Sequence, residues 1–578
     1  MNDLASMASS KALSTNVAHY QALLLAAQLA GEHGDKGKQV RYGGWAAQLK
    51  RAINERLWLD DAGMYSSLTG AHFDGAPMYK FDWLGQALAI VTGVADEARA
   101  RSILAHYPHG PMGAPVIYPQ QQDQPVYHNR AMWPFVTAYG LKAATRSGNV
   151  AVADAAYATL MRGAALNLSN RENLEWLSGQ PLLLDEAHPE LIGPVINSRR
   201  QLWSVGAYLG MVIEQVFGVR ATSDGLRIAP FITARLRRDA FGQSDAIELK
   251  DLTLHGRRVS VRIALPPVAQ GEGYYPVESI RVNGAPVGPS PAIKLTGDAH
   301  IEVRLGPLQA GEQAITRVTA DPYREDAAVF GPREPAITAL ERSGAAVRVV
   351  IGAARGEANT LYNVYRDGKV VARGLPAGVW IDRAPGPFSC YALEARFTDS
   401  GNRSHHSPAR CLDSGMTIGV DEARVVSNVK ASLAQGRFAA APRLQDWGAP
   451  QDRFAAERVR VAQPGLYQLQ LRYHNAANQI NLGISGGVKW MAVKDAAGRT
   501  VAGGVVQLPH ARLDKTDTPL VYSTPLAARL GTGSYRIELS DFYNMSYLDS
   551  NRTFSAAGGV DGPANRMDMY AVRLLRTE

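Results

Sequence analysis

The chain has 578 residues, 46% hydrophobic and 20% charged, which is too long for one hydrophobic core, and it holds no apolar run long enough to cross a bilayer as a helix. Its formal net charge is +8, but the bases are mostly arginines dispersed among acids, and the longest cluster, Arg235-Leu236-Arg237-Arg238, is short. The charge therefore reads as solvated surface, and neither a nucleic acid nor a membrane is expected as a partner. No aromatic-interleaved basic groove, metal-spaced Cys/His set or phosphate-cradling glycine loop is found, so no metal and no cofactor is expected.

Residues 1–217 carry helical signals. Ser14-Thr15-Asn16 offers caps ahead of Val17, Tyr20, Leu23, Leu24 and Ala27, and Trp45, Leu49, Ile53 and Leu57 recur every fourth residue down a second helix. Further helices are predicted near 81–93, 95–106, 130–146, 149–167 and 198–216, in antiparallel succession. The densest stretch is Ile117–Tyr139, which crowds Tyr127, His128, Asn129, Arg130 and Trp133-Pro134 into the start of one of these helices. A cap alone requires one Asn or Ser, so rings, amide and guanidinium together point to a site.

Period-two alternation begins near Phe217-Gly218, and 218–316 is predicted as an antiparallel β-sandwich packed on the helices. The segment 317–336, with Asp321-Pro322 and Gly331-Pro332, reads as a linker. Residues 337–415 read as a small sandwich, and 416–578 as a larger one with glycine and asparagine turns. Cys390 and Cys411 both fall in the small sandwich, where a bridge would suit an oxidising compartment. A periplasmic or extracellular location is expected, although Met1-Asn2-Asp3 opens no secretion signal.

Tyr127-His128-Asn129 with Trp133-Pro134, Leu174-Glu175-Trp176-Leu177-Ser178-Gly179, and Asn197-Ser198-Arg199-Arg200-Gln201-Leu202-Trp203-Ser204 resemble, in order and spacing, segments of amylo-1,6-glucosidases and related six-hairpin glycosidases. The resemblance implies an (α/α)6 toroid and hydrolysis of an oligo- or polysaccharide with inversion, by one carboxylic acid and one carboxylate. By position it makes Glu175 the general base, with Tyr127, His128, Asn129, Trp133, Arg199, Gln201 and Trp203 lining a sugar subsite. Glu172, Asp185 and Glu186 share the region of Glu175.

A six-hairpin ring has twelve helices and about seven are predicted here, so the expected fold is a partial (α/α)6 toroid, all-α, followed by three antiparallel β-sandwich modules. The missing helices, and with them the general acid, are expected upstream, with Asp82 and Asp123 as substitutes for the acid. The segment 337–415, through NVYRDGK and DSGNRS, resembles a fibronectin type III module. The segment 416–578 resembles jelly-roll carbohydrate-binding modules, which implies a sugar platform among Tyr473, Trp490, Tyr543 and Tyr547, with Trp490 foremost. Asp541, Asp561 and Asp568 are the carboxylates from which a structural calcium in such a module would draw. Two other outcomes remain open: a polysaccharide lyase on the same toroid, using Tyr127, His128, Asn129 and Arg130, and a carbohydrate-binding fragment without catalysis.

Overall fold

The computed structural model describes residues 10–70, 72–124, 127–181, 198–254, 256–288, 292–354, 356–386, 388–412, 415–433, 441–475, 486–509, 520–542 and 565–578. Seven helices open the chain: α1 (Leu13–Glu32), α2 (Lys36–Arg56), α3 (Trp83–Val91), α4 (Glu97–His106), α5 (Pro134–Arg146), α6 (Val150–Asn167) and α7 (Leu202–Gly210). The last runs on into a π-helical turn, Met211–Val216. An eighth, α8 (Ala234–Phe241), lies in the following β region.

The packing of these helices defines an arc. Helix α1 packs on α3, α3 on α5 and α5 on α7, while α2 backs α1 and α6 backs α5. Four parallel helices thus form an inner row, with the returning helices outside it. Asp35, Asp82, Asp96 and Asn149 cap α2, α3, α4 and α6 with their side chains, whereas α5 and α7 have Trp133 and Gln201 at the cap and no side-chain bond there. Helix α1 starts at Leu13, ahead of the expected Ser14–Asn16 cap, because Asn16 donates to the Ala12 carbonyl inside the first turn. On α2, Ile53 is buried and Leu49 partly so, but Trp45 is half exposed.

The segments that lead into the inner helices are sewn together. Ala12 bridges Leu68, Ser67 donates to the Lys80 carbonyl, Phe81-Asp82 pair with Ile117-Tyr118, Val116 donates to the Ala131 carbonyl, and Ala131-Met132 pair with Leu174-Glu175. The Glu172 amide then bonds the Ser198 carbonyl, and Gln201 bonds Asn170. All four inner-helix N-termini are therefore gathered at one end of the arc, beneath one set of loops.

The β region begins with one five-stranded sheet, in the order 246–254, 257–264, 299–305, 277–282, 285–287. One of its pairings, 257–264 with 299–305, is parallel. Val259, Val261, Ile263, Ile301 and Val303 join the same core as the helices. The Arg235–Arg238 cluster is structural: Arg237 is buried on the Pro266 and Phe241 carbonyls, Arg235 faces Asp239 and Arg238 bonds Ala269 and Gly271. The next module pairs a three-stranded sheet (336–343, 346–352, 378–382) with a four-stranded one (360–366, 369–375, 390–397, 410–411) and is bridged by Cys390–Cys411. The last module stacks a seven-stranded on a five-stranded sheet around Trp447, Leu469, Leu471 and Met491.

The segment 317–336 is a strap and not a free linker. Thr316-Arg317 pair with Pro108-His109, and Val329 and Phe330 sink into a core with Met132, Leu174, Trp176 and Leu177. Arg333 then ties Asp123 of the site loop, at 2.5 Å, to Glu357 of the next module, at 3.1 Å.

That module docks on the helices through buried charge. His406 Nδ1 lies 2.5 Å from Asp74, its Nε2 3.7 Å from Glu394, and Arg403 reaches Glu394 and Asp61. Burial alone would drive His406 down, but its pairing with Asp74 and Glu394 raises it to about 9. Glu394 is also pushed up by burial, yet His406 and Arg403 bring it below the ordinary glutamate range. Lys80, buried beside Glu394 and Glu334, is lowered to about 7.

Removing the cation between two buried carboxylates leaves Arg403 as the remaining charge on Glu394 and takes the His406 charge from Asp74, so His406→Gln is expected to destabilise the docked module by about 3 kcal/mol. The contribution of a group whose pKa is raised by folding is complete below its unfolded value and fades as pH rises through the folded one. The difference in stability between wild type and His406→Gln, followed by thermal unfolding, should therefore be full below about pH 6.5 and vanish as pH rises through about 9.

Candidate active site

At the gathered end of the inner row, the loop before α5 and the segment before α7 bring rings together. His128 stacks on Trp133, with centroids 5.0 Å apart and planes at 19°, and Tyr127 meets both edge-on or tilted. Trp203, from the first turn of α7, lies 5.9 Å from Trp133 and 5.5 Å from Phe135. Trp133 is buried, His128 and Trp203 are exposed, and Tyr127 is half-buried, which leaves a wall of flat apolar faces with polar edges. Such a surface suits the apolar face of a pyranose.

A carboxylate stands against this wall, and it is Glu172. Tyr127 donates its hydroxyl to Glu172 Oε1 at 2.8 Å, and the Ser198 amide donates to Oε2 at 3.0 Å. Desolvation, with the bond to Glu172, pushes Tyr127 up to about 12. Partial desolvation among the rings lowers His128 against the opposing pull of Glu172. The uncapped N-termini of α5 and α7 add positive ends of helix dipoles to the same region.

Glu175 has another environment. Its Oε2 accepts from the Leu177 amide, the Ser178 amide and the Ser178 hydroxyl, closing its own turn, and its Oε1 is buried with no hydrogen-bond partner among the described residues. Burial raises its pKa, restrained by the Ser178 bonds and by Arg130. Its neighbours Leu174, Trp176 and Leu177 pack on the strap.

The other expected residues separate into wall and scaffold. Asn129 is buried, and both ends of its amide are spent on Gln121, accepting from its amide at 2.7 Å and donating to its carbonyl at 2.8 Å. It locks the site loop, with one N–H and one lone pair of the amide not used by these bonds. Arg130 is likewise buried, bonded to the Pro322 carbonyl and lying over Phe330. Gln201 caps α7 through its backbone, and the exposed Arg199 follows the Ser198 that holds Glu172. Asn197, Asp185 and Glu186 lie outside the described residues.

Neither substitute for the acid stands free. Asp82 caps α3 through the Gly85 amide at 2.5 Å, while burial raises it to about 6. Asp123 is exposed and bound to Arg333. Phe135 and Glu172 were not among the residues the resemblance assigned. Glu172 sits in the polar run Asn170-Arg171-Glu172-Asn173, while Glu175 sits in an apolar one, Leu174–Leu177, and that difference in surroundings is visible in the sequence.

In the last module, Trp490 and Phe542 are both exposed and stack at 5.7 Å and 30°, beside Gly503 of the neighbouring strand. Tyr473 is core, with its hydroxyl on the Pro509 carbonyl, and Tyr543 and Tyr547 lie outside the described residues. Asp541 is paired with Lys489 and Asp568 with Arg443, so both carboxylates are neutralised by cations; Asp561 lies outside the described residues.

An inner row of parallel helices, backed by returning helices and carrying a ring-lined carboxylate at their N-terminal end, is the arrangement of a six-hairpin glycoside hydrolase toroid. Residues 5–204 match the family described as the mannosylglycerate hydrolase MGH1-like glycoside hydrolase domain. No curated protein matches the chain.

Among solved structures, the chain is similar to the GH63 mannosylglycerate hydrolase from Thermus thermophilus in complex with glucose, at 17% identity and a TM-score of 0.28, covering 36% of this chain and 48% of that one. The chain thus spans about half the length of that enzyme. A sialidase is similar over 48% of this chain and 26% of its own, at 17% identity and a TM-score of 0.36. A family 35 carbohydrate binding module from Clostridium thermocellum is similar over 28% of this chain and 98% of its own, at 13% identity and a TM-score of 0.18.

Two substitutions separate scaffold from wall. Asn129→Ala leaves the Gln121 amide and carbonyl unpaired and is expected to cost about 1–3 kcal/mol in thermal or denaturant unfolding. His128→Ala, at an exposed ring, is expected to stay within about 0.5 kcal/mol of wild type.

Proposed function

We propose that the chain is the catalytic-base half of an inverting glycoside hydrolase acting on an oligo- or polysaccharide. The observation that carries this reading is the 2.8 Å bond from Tyr127 to Glu172 under the His128, Trp133 and Trp203 rings. Glu172, in place of Glu175, is the general base: it takes a proton from water on the face of the sugar opposite the leaving group. Tyr127 and the Ser198 amide orient its two oxygens, leaving a further lone pair on each for water. The raised pKa and closed turn of Glu175 suit a buried structural acid better than a base on water.

With Asp82 and Asp123 committed elsewhere, the general acid is proposed to come from helices that complete the ring. Both ends of the inner row support this, since Leu24, Leu25 and Leu29 of α1 and Leu202 and Leu209 of α7 are exposed aliphatics on helices whose other faces are packed. The Trp490–Phe542 pair is proposed as a carbohydrate platform of the last module. The module at 337–415 is proposed as a fibronectin type III-like spacer, and the Cys390–Cys411 bridge supports a periplasmic or extracellular setting. A Tyr127 base, as a lyase would need, is opposed by a hydroxyl held protonated up to about pH 12.

Glycosyl fluorides test this directly, because fluoride departs without protonation and so bypasses the acid. Wild type is expected to release fluoride from at least one sugar of a panel, giving the inverted anomer by NMR. Glu172→Gln should lower the rate by about 10²–10⁴-fold, and Glu175→Gln should lower it far less. Retention of configuration, or loss of rate on Glu175→Gln with Glu172→Gln unaffected, would contradict the assignment. Separately, Trp490→Ala should weaken binding to an insoluble polysaccharide by about 0.5–1.5 kcal/mol without changing fluoride release.

A further inference from the structure

Helix α2 carries a feature that hydrolysis does not use. Along the chain its components are scattered, but at 3.6 residues per turn Lys38, Arg41, Tyr42, Trp45, Leu49, Ala52 and Arg56 fall on one flank. That flank runs about 27 Å at 1.5 Å per residue. Arg41 lies 5.3 Å from the centroid of Tyr42 and 5.6 Å from that of Trp45, and Trp45 is 48% exposed. Buried Ala46 and Ile53 turn another side of the helix inward.

The flank leads into a cavity of about 360 Å³ between α2, the start of α1 and the 69–75 loop. Leu49, Ala52 and Arg56 line it from α2, and Lys11, Asn16, Thr69 and His72 line it from the other side, with no carboxylate among its lining residues. The acids nearby are otherwise placed: Asp35 is paired with Lys38 at 2.9 Å, Asp74 is buried on His406, and Glu55 is exposed beside Arg56.

We propose that the α2 flank and this cavity bind an acidic polysaccharide, with its sugar rings on Trp45 and Tyr42 and its carboxylates or sulfates on Arg41, Arg56 and Lys11. A pyranose offers an apolar face to a flat ring, and an anionic substituent offers paired oxygens to a guanidinium, so one linear polymer satisfies both elements of the flank. Sign and geometry agree over the whole length, from an exposed aromatic stripe to an open, basic-lined cavity. The lining shares no residue with the wall around Glu172, and the proposal rests on no step of its chemistry.

Affinity electrophoresis of the full chain through gels holding polygalacturonate, heparin or neutral dextran tests this, with single-stranded oligo-dT as a competitor. Retardation is expected with at least one acidic polymer and not with dextran, and it should weaken as salt is raised. The Arg41→Ala/Trp45→Ala double variant should lose affinity about tenfold, and Arg56→Gln should lose part of that, with unfolding midpoints unchanged because these side chains are exposed. Fluoride release by the double variant should match that of wild type, so failure of the binding test leaves the hydrolysis reading standing. Absence of retardation by both acidic polymers, undiminished retardation of the double variant, or tighter binding of oligo-dT than of either glycan would overturn the proposal.

Discussion

The constraint on which this structure depends is the run of short backbone pairings that joins the segments before α1, α3 and α5 and extends to Leu174-Glu175. Each pairing is only a residue or two long and would be worth little alone. Together they fix the inner helices side by side with their N-termini at one end, and they leave the intervening loops to fold back over that end. The rings of Tyr127, His128 and Trp133 meet Trp203 and Glu172 because those loops have nowhere else to go. Function here is a consequence of loop placement by a rigid row of helices.

The β modules are part of that placement. The strap buries Val329 and Phe330 under the Glu175 turn, Arg333 grips Asp123 in the site loop, and the 337–415 module reaches Gln121 and Tyr118 through His405 and Asn402. A fully buried cluster around His406 holds the module to the helices. Buried ion pairs seldom add much net stability over apolar packing, but they specify one docked geometry, since a shifted module would strand charge in the interior. That specificity suits a module whose contacts run directly onto the loop that leads to the ring wall.

Much of this was legible in the sequence. Helices α3 to α6 lie close to their expected ranges because apolar periodicity agrees with Asp or Asn caps on α3, α4 and α6 and with Pro134 opening α5. The ring wall was legible because its density exceeded what a helix start requires. Other features turn on contacts between distant segments. The lock that Asn129 places on Gln121 is one such contact, and Tyr473 looks like a platform until its ring is found in the core with its hydroxyl on Pro509. The strap was hidden because proline and glycine signal a loop, whereas Val329-Phe330 find a core that other segments build. Glu172 and Glu175 stand three residues apart; their polar and apolar surroundings differ in the sequence, and the bond from Tyr127 to Glu172 shows which of them turns toward the rings.

The central claim is that Glu172, and not Glu175, faces the sugar. A cationic iminosugar carries positive charge where the oxocarbenium ion develops it, so its affinity reports the carboxylate that faces that charge. Calorimetric titration of such iminosugars into wild type, Glu172→Gln and Glu175→Gln measures this without requiring turnover. The expected result is a loss of about tenfold or more in affinity for Glu172→Gln, from removal of one charge-assisted contact, with Glu175→Gln close to wild type. Equal affinity of wild type and Glu172→Gln, or a loss confined to Glu175→Gln, would contradict it.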